Sequence, residues 1–122
     1  MNNPKAEAFT CFLDKRTADI QKTIVQLNED SRNDEANFEK IRANIFQVIK
    51  TVFLVFRKTP GSEQELRALM DGRLALFEET WNSSLARARE HNDEKRVLQE
   101  EVKLEALTEI RRKFDEMWEV PV

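Results

Sequence analysis

Apolar side chains recur along this chain at intervals of three, four and seven residues in four stretches, the spacing of a buried helix face rather than the alternation of a strand. The first stretch predicts a helix over about residues 4–29, with Ala6, Phe9, Leu13, Ile20, Ile24 and Leu27 on its inward side. Asn3 followed by Pro4 suits a helix start, because Asn can cap and Pro at the first helical position forfeits no hydrogen bond. The second stretch, about 34–58, carries Phe38, Ile41, Ile45, Val48, Ile49, Val52 and Phe56 on one face, and Phe46, Phe53 and Val55 widen it. About half of that cylinder is apolar, broader than the ~100° stripe of an ordinary surface helix, so this element is expected to be the most buried. Ala43 and Leu54 project from the opposite side, which predicts that it is covered there as well.

A third helix is expected over about 63–91, with Leu66, Leu69, Met70, Leu74, Phe77, Trp81, Leu85 and Ala88 facing in. Its start is well marked: Thr59-Pro60-Gly61 breaks the preceding helix, and Ser62 with Glu65 has the spacing of a capping box. Gly72 falls on the far side of the stripe and costs roughly 1 kcal/mol relative to Ala. The fourth helix, about 93–119, buries Leu104, Leu107, Ile110, Phe114, Met117 and Trp118 before Pro121.

These segments predict an all-α fold, an antiparallel four-helix up-down bundle forming a single domain over residues 1–122. The first connection, Asn28 to Glu35, is wholly polar and rich in capping side chains, so a tight turn belongs there. The third connection, residues 90–94, holds neither Gly nor Pro and offers only Asn92 or Asp93 as a cap. An alternative architecture follows from it: a helical hairpin plus one continuous helix of about 57 residues, roughly 85 Å long at ~1.5 Å per residue, which would require an intertwined dimer.

Up-down threading gives the bundle two unlike ends. Residues 28–35 and 87–103 make one end polar, whereas Phe9, Phe12, Phe53, Phe56, Leu66, Leu69, Met70, Phe114 and Trp118 gather at the other. The aromatic side chains there either plug the core or line an apolar pocket, for which Phe9, Phe56, Phe114 and Trp118 are the candidates. Arg16, Arg73, Glu100 and Arg111 interrupt the apolar stripes and are read as a polar layer or as side chains snorkelling at the core edge.

Composition narrows the functional classes. The 20 basic and 23 acidic side chains are intermixed and sum to a net charge of -3, so no broad positive field exists for nucleic acid. Cys11 is the lone cysteine, pointing away from the core stripe, which fits a reducing compartment. The N-terminal residues lack a signal-peptide pattern, and the most apolar run, Ile45 to Phe56, is broken by Gln47, Lys50 and Thr51 and falls short of a membrane span. A cytoplasmic protein without membrane association is expected.

Catalytic and metal motifs are not found. His91 is the single histidine, and Ala88 stands three residues before it, so the Glu-x-x-His pairs of di-metal bundles cannot be built. The Asn28 loop puts Arg32 and Asn33 where a calcium loop needs a ligand and a glycine. Two glycines cannot supply phosphate or dinucleotide loops. No enzyme activity, cofactor or metal is expected. The reading that remains is a non-enzymatic interaction or structural module, docking a protein partner or self-associating through helix 2 at Ala43, Phe46, Phe53 and Leu54. The alternative is a small-molecule sensor or carrier that holds an apolar ligand at the aromatic end.

Overall fold

The computed structural model describes residues 4–119 and contains four long helices: α1 (Pro4–Glu29), α2 (Asn33–Lys58), α3 (Glu63–Glu90) and α4 (Glu94–Glu119). The fold is all-α, and no strand occurs among the described residues. The cap expected at Asn3 and the stop expected at Pro121 lie outside them.

Each turn has a local cause. At the α1–α2 junction Ser31 takes a left-handed φ of 61°, the Arg32 N–H reaches back to the Leu27 carbonyl at 2.8 Å, and the Ser31 N–H bonds the Asn28 carbonyl at 3.1 Å. These two reverse bonds satisfy carbonyls that a helix end leaves open. The α3–α4 junction repeats the arrangement with Asn92 at φ 54°, Asp93 N–H bonding Ala88 and Asn92 N–H bonding Arg89. Asp93 then caps α4, its carboxylate accepting the Arg96 N–H at 3.1 Å. The continuous 57-residue helix is thereby ruled out: three residues suffice to reverse the chain, because Asn tolerates the left-handed conformation that otherwise calls for Gly. Between α2 and α3 the expected capping box is present in both halves, the Glu65 N–H bonding Ser62 Oγ and the Ser62 N–H bonding the Glu65 carboxylate.

Cross-helix ion pairs report the packing. Glu7 and Asp14 of α1 meet Arg57 and Lys50 of α2, while Arg67, Glu78 and Arg89 of α3 meet Glu119, Arg111 and Glu101 of α4. In both hairpins residue numbers rise on one helix as they fall on the other, the register of antiparallel neighbours. Arg42 of α2 reaches Glu105 of α4, and Arg16 of α1 reaches Glu109 of α4. Helices α2 and α4 approach closely across the centre and hold α1 and α3 on opposite flanks, where those two do not meet.

The core is continuous through all four helices, from Ala6, Phe9 and Leu13 of α1 to Leu107, Ile110 and Phe114 of α4. Every residue expected on the inward side of α1 is buried. Helix α2 departs from expectation. Its most completely buried residues are Ala36, Ala43, Ile45, Phe46, Ile49 and Phe53, whereas Phe38, Ile41, Val48, Val52 and Phe56 of the main stripe are only half-buried. The broad face is split: one edge packs on α1, and the other turns toward α3, which covers it thinly. Leu69, expected inside, is 42% exposed, and Leu76 is 50% exposed.

The interrupting charges sit mainly at the core edge. Arg16 makes two bonds to the Glu109 carboxylate, at 2.6 and 3.1 Å, and Arg111 bonds Glu78 at 2.6 Å. Arg73 is exposed and stacks over the Phe56 ring. Glu100 differs, being 1% exposed, with one oxygen shared by Arg96 at 3.2 Å and Lys103 at 3.1 Å and the other oxygen unpartnered.

Candidate functional site

At the aromatic end the rings of Phe9, Phe53, Phe114 and Trp118 form packed core, and the open space lies beside them at the α2–α3 turn. The Phe9 ring lies 4.9 Å from Phe53, 5.2 Å from Phe114 and 6.0 Å from Trp118, centroid to centroid, and Phe114 lies 4.5 Å from Trp118. Phe9, Phe53 and Phe114 have no exposed surface, and the Trp118 indole N–H donates to the Glu63 carbonyl at 3.3 Å. Large rings in edge-to-face contact fill the volume that a ligand would need. Three of the four expected pocket residues, Phe9, Phe114 and Trp118, therefore belong to one interlocked cluster. Phe56 stands outside it, half-buried and facing α3.

The residues expected to form an interface on α2 are likewise displaced. Ala43 is 5% exposed, and Phe46 and Phe53 are fully buried, so three of the four are consumed by the chain's own core. Leu54 alone keeps partial exposure. The physical reason is that α1 occupies the side of α2 on which Ala43 lies, a choice of neighbour that the α2 periodicity leaves open.

What the fold leaves open is the seam between α2 and α3. Helix α3 leans on α4 and approaches α2 at few points. On the α2 wall Ile41, Val48, Val52 and Phe56 are only partly buried, and Val55 at the lip is 60% exposed. On α3 Phe77 and Trp81 stack with their rings 5.0 Å apart and 11° from parallel, both partly buried against the core. Arg73 joins the walls, its guanidinium 5.8 Å from the Phe56 ring centroid. At the α2–α3 turn the seam opens into a cleft of about 1000 Å³ lined by Phe56, Lys58, Pro60, Leu66, Ala68 and Leu69, among others.

The seam's residues were visible in the sequence only as core positions. Phe77, Trp81, Val48 and Val52 fall on stripes that periodicity assigns to the interior, and a half-covered stripe has the same spacing as a covered one. Val55 and Leu69, assigned to inward stripes in the same way, are exposed in the structure.

Among the described residues no three His, Cys, Asp or Glu side chains gather as they would around an ion, and no helix is long and apolar enough to cross a membrane. Comparison with known protein families, with curated proteins and with solved structures found no match to this chain.

Proposed function

We propose that this chain is a non-enzymatic interaction module that docks a partner protein along the α2–α3 seam. The observation that supports this reading is a set of partly buried apolar side chains, Val48, Val52 and Phe56 of α2 and the stacked Phe77 and Trp81 of α3, with the exposed Val55 beside them, on two helices that approach each other at few points. Contiguous apolar surface on a folded domain, rimmed by polar groups, is the usual mark of a binding face. Aromatic side chains at its centre suit the anchoring role that large rings play in interfaces.

The small-molecule reading draws less support at Phe9, Phe114 and Trp118, whose rings fill that space themselves, and keeps only Phe56, at the cleft beside the α2–α3 turn. Self-association through Ala43, Phe46 and Phe53 lacks exposed surface for the same reason. Two substitutions at the lip, Val55→Glu and Leu69→Glu, alter exposed side chains and leave the core intact. Affinity capture from native lysate with cross-linking is expected to recover a partner with the unmodified protein and to lose it with the double variant. Val25→Glu, at an exposed position on α1 (57%), should retain it. Equal recovery by the unmodified protein and the Val55→Glu/Leu69→Glu variant would sink the proposal.

A further inference from the structure

The outer face of α3 carries apolar side chains that the bundle does not cover. Of the five large apolar residues exposed among the described residues, two, Leu69 and Leu76, lie on this helix. At ~100° per residue they share one line with Gly72 and Ser83, and Glu65 and Arg87 end that line, all within about 40° of Leu76. Every one of these six residues is exposed. From Glu65 to Arg87 the line runs about 33 Å at the ~1.5 Å helical rise. Phe77 and Trp81 lie ~100° or more round the helix from Leu76, so this face is separate from the seam. A Cβ built at Gly72 meets nothing within 4 Å, which leaves the backbone there open to a close neighbour.

The charges on this face are ordered along it, acid near the start and base near the end. Glu65 uses one carboxylate oxygen in the capping box, at 3.4 Å from the Ser62 nitrogen, and keeps the other. Arg87 has no ion-pair partner among the described residues. Asp93, which borders the same small hollow as Arg87 at the α3–α4 turn, is engaged by the Arg96 N–H. Between Glu65 and Arg87 the line itself is uncharged, with Arg73 and Glu79 about 60° to either side.

We infer that this face pairs with a second copy of the chain, α3 against α3 in antiparallel orientation about a twofold axis near Leu76. A twofold contact requires a surface complementary to itself, and the order of charge on α3 supplies one. Residues equally far before and after Leu76 then come level, so Glu65 of each copy meets Arg87 of the other and Leu69 meets Ser83. Arg73 comes beside Thr80 and Glu79 beside Gly72, so no like charges face each other at the margins. Glu90 comes level with Ser62, at the electropositive start of the other helix. Parallel pairing would instead set Glu65 against Glu65 and Arg87 against Arg87. Gly72 lets the two helices approach within the ~8–10 Å of packed neighbours, and Leu76 supplies the apolar centre. One helix face buries less than the ~1,200 Å² of a stable complex, so the dimer is weak and reversible.

Sedimentation equilibrium of the full chain from about 10 μM to 1 mM tests this, in reducing buffer so that Cys11 cannot link copies. The mass should rise with concentration from 14.4 kDa toward twice that value. Leu76→Glu and Gly72→Gln, both at exposed positions, should keep the helical circular dichroism and melting temperature of a folded chain and weaken the dimer at least about tenfold. Glu65→Lys and Arg87→Glu should each weaken it about fivefold, because each sets like charges together at both ends. Mixing those two variants in equal amounts should restore the dimer, since only the mixed pair has opposite charges at both ends. A mass of 14.4 kDa at every concentration, a dimer indifferent to Leu76→Glu, or no recovery on mixing overturns the inference. Docking of a partner at the seam is judged separately, by the Val55→Glu/Leu69→Glu capture, and Leu76→Glu should leave that capture intact.

Discussion

Arg16 of α1 and Glu109 of α4 form a two-pronged ion pair, Nε to one carboxylate oxygen at 2.6 Å and an amino nitrogen to the other at 3.1 Å, and the same guanidinium lies 5.7 Å from the Phe46 ring centroid. The pair seals the edge of the core where two helices, distant in sequence, run side by side. Hydrogen bonding to Glu109 is the main cause that raises the Arg16 pKa above its ordinary value, with burial opposing it and the charges of Glu109, Asp19 and Glu39 assisting. A raised folded-state pKa contributes stability that is fully present below the unfolded value and is lost only as pH rises through the folded one. For an arginine both lie beyond the physiological range, so this contribution should not vary between pH 5 and pH 9. A double-mutant cycle with Arg16→Met and Glu109→Gln is expected to give a coupling of about 1 kcal/mol, modest because both side chains keep solvent contact. Urea denaturation of the four proteins measures it.

Glu100 should be dispensable. Its side chain is buried, one oxygen lacks a partner, and both of its cations, Arg96 and Lys103, retain exposed surface. Replacement by a well-packed apolar group of similar length removes the desolvation cost while the cations relax into water. Glu100→Met is expected to leave stability equal or raise it by about 1–2 kcal/mol. Glu100→Ala should lower it instead, through the cavity it leaves. A denaturation midpoint for Glu100→Met well below that of the parent would show that the carboxylate organises its neighbours.

The ring cluster should dominate stability. Phe9 touches Phe12, Phe53, Phe114 and Trp118, so Phe9→Ala or Phe114→Ala removes packing from three helices at once. A loss of about 3–5 kcal/mol is expected for either, enough to unfold a marginal domain. Phe77→Ala, at a half-exposed ring, should cost roughly half as much by the smaller area removed from water. Thermal unfolding followed by circular dichroism ranks the three.

Gly72 lies in the middle of α3, and a Cβ built there meets nothing within 4 Å. The fold makes no use of its missing side chain. Gly72→Ala should raise stability by about 1 kcal/mol through helix propensity and a less disordered unfolded chain, seen as a higher melting temperature.

The two left-handed turn positions gain from Gly and lose from a β-branched side chain. Ser31 at φ 61° and Asn92 at φ 54° hold the conformation that Gly adopts without strain. Ser31→Gly is expected to stabilise by about 1 kcal/mol, and Asn92→Val to destabilise by about 1–2 kcal/mol. If Asn92→Val were neutral, the α3–α4 reversal would not depend on that backbone geometry.

Periodicity and turn chemistry alone determined the helices of this protein, because both act over a few residues. The 3.6-residue repeat set the inward face of α1 in full, and Ser62 and Glu65 marked the start of α3 through bonds made within one turn. Even the uncertain 90–94 region carried its answer locally, in an Asn that accepts a left-handed backbone and an Asp that caps the next helix. What only the tertiary structure decided is which helix covers which side of α2. Ala43, Phe46 and Phe53 met α1 and the core and lost their surface, while Val48, Val52 and Phe56, with the same apolar spacing, met the receding flank of α3 and kept part of theirs. An apolar residue declares that it prefers to leave water, but the preference names no neighbour. Whether it ends as core or as open surface depends on how closely helices from distant parts of the chain approach one another.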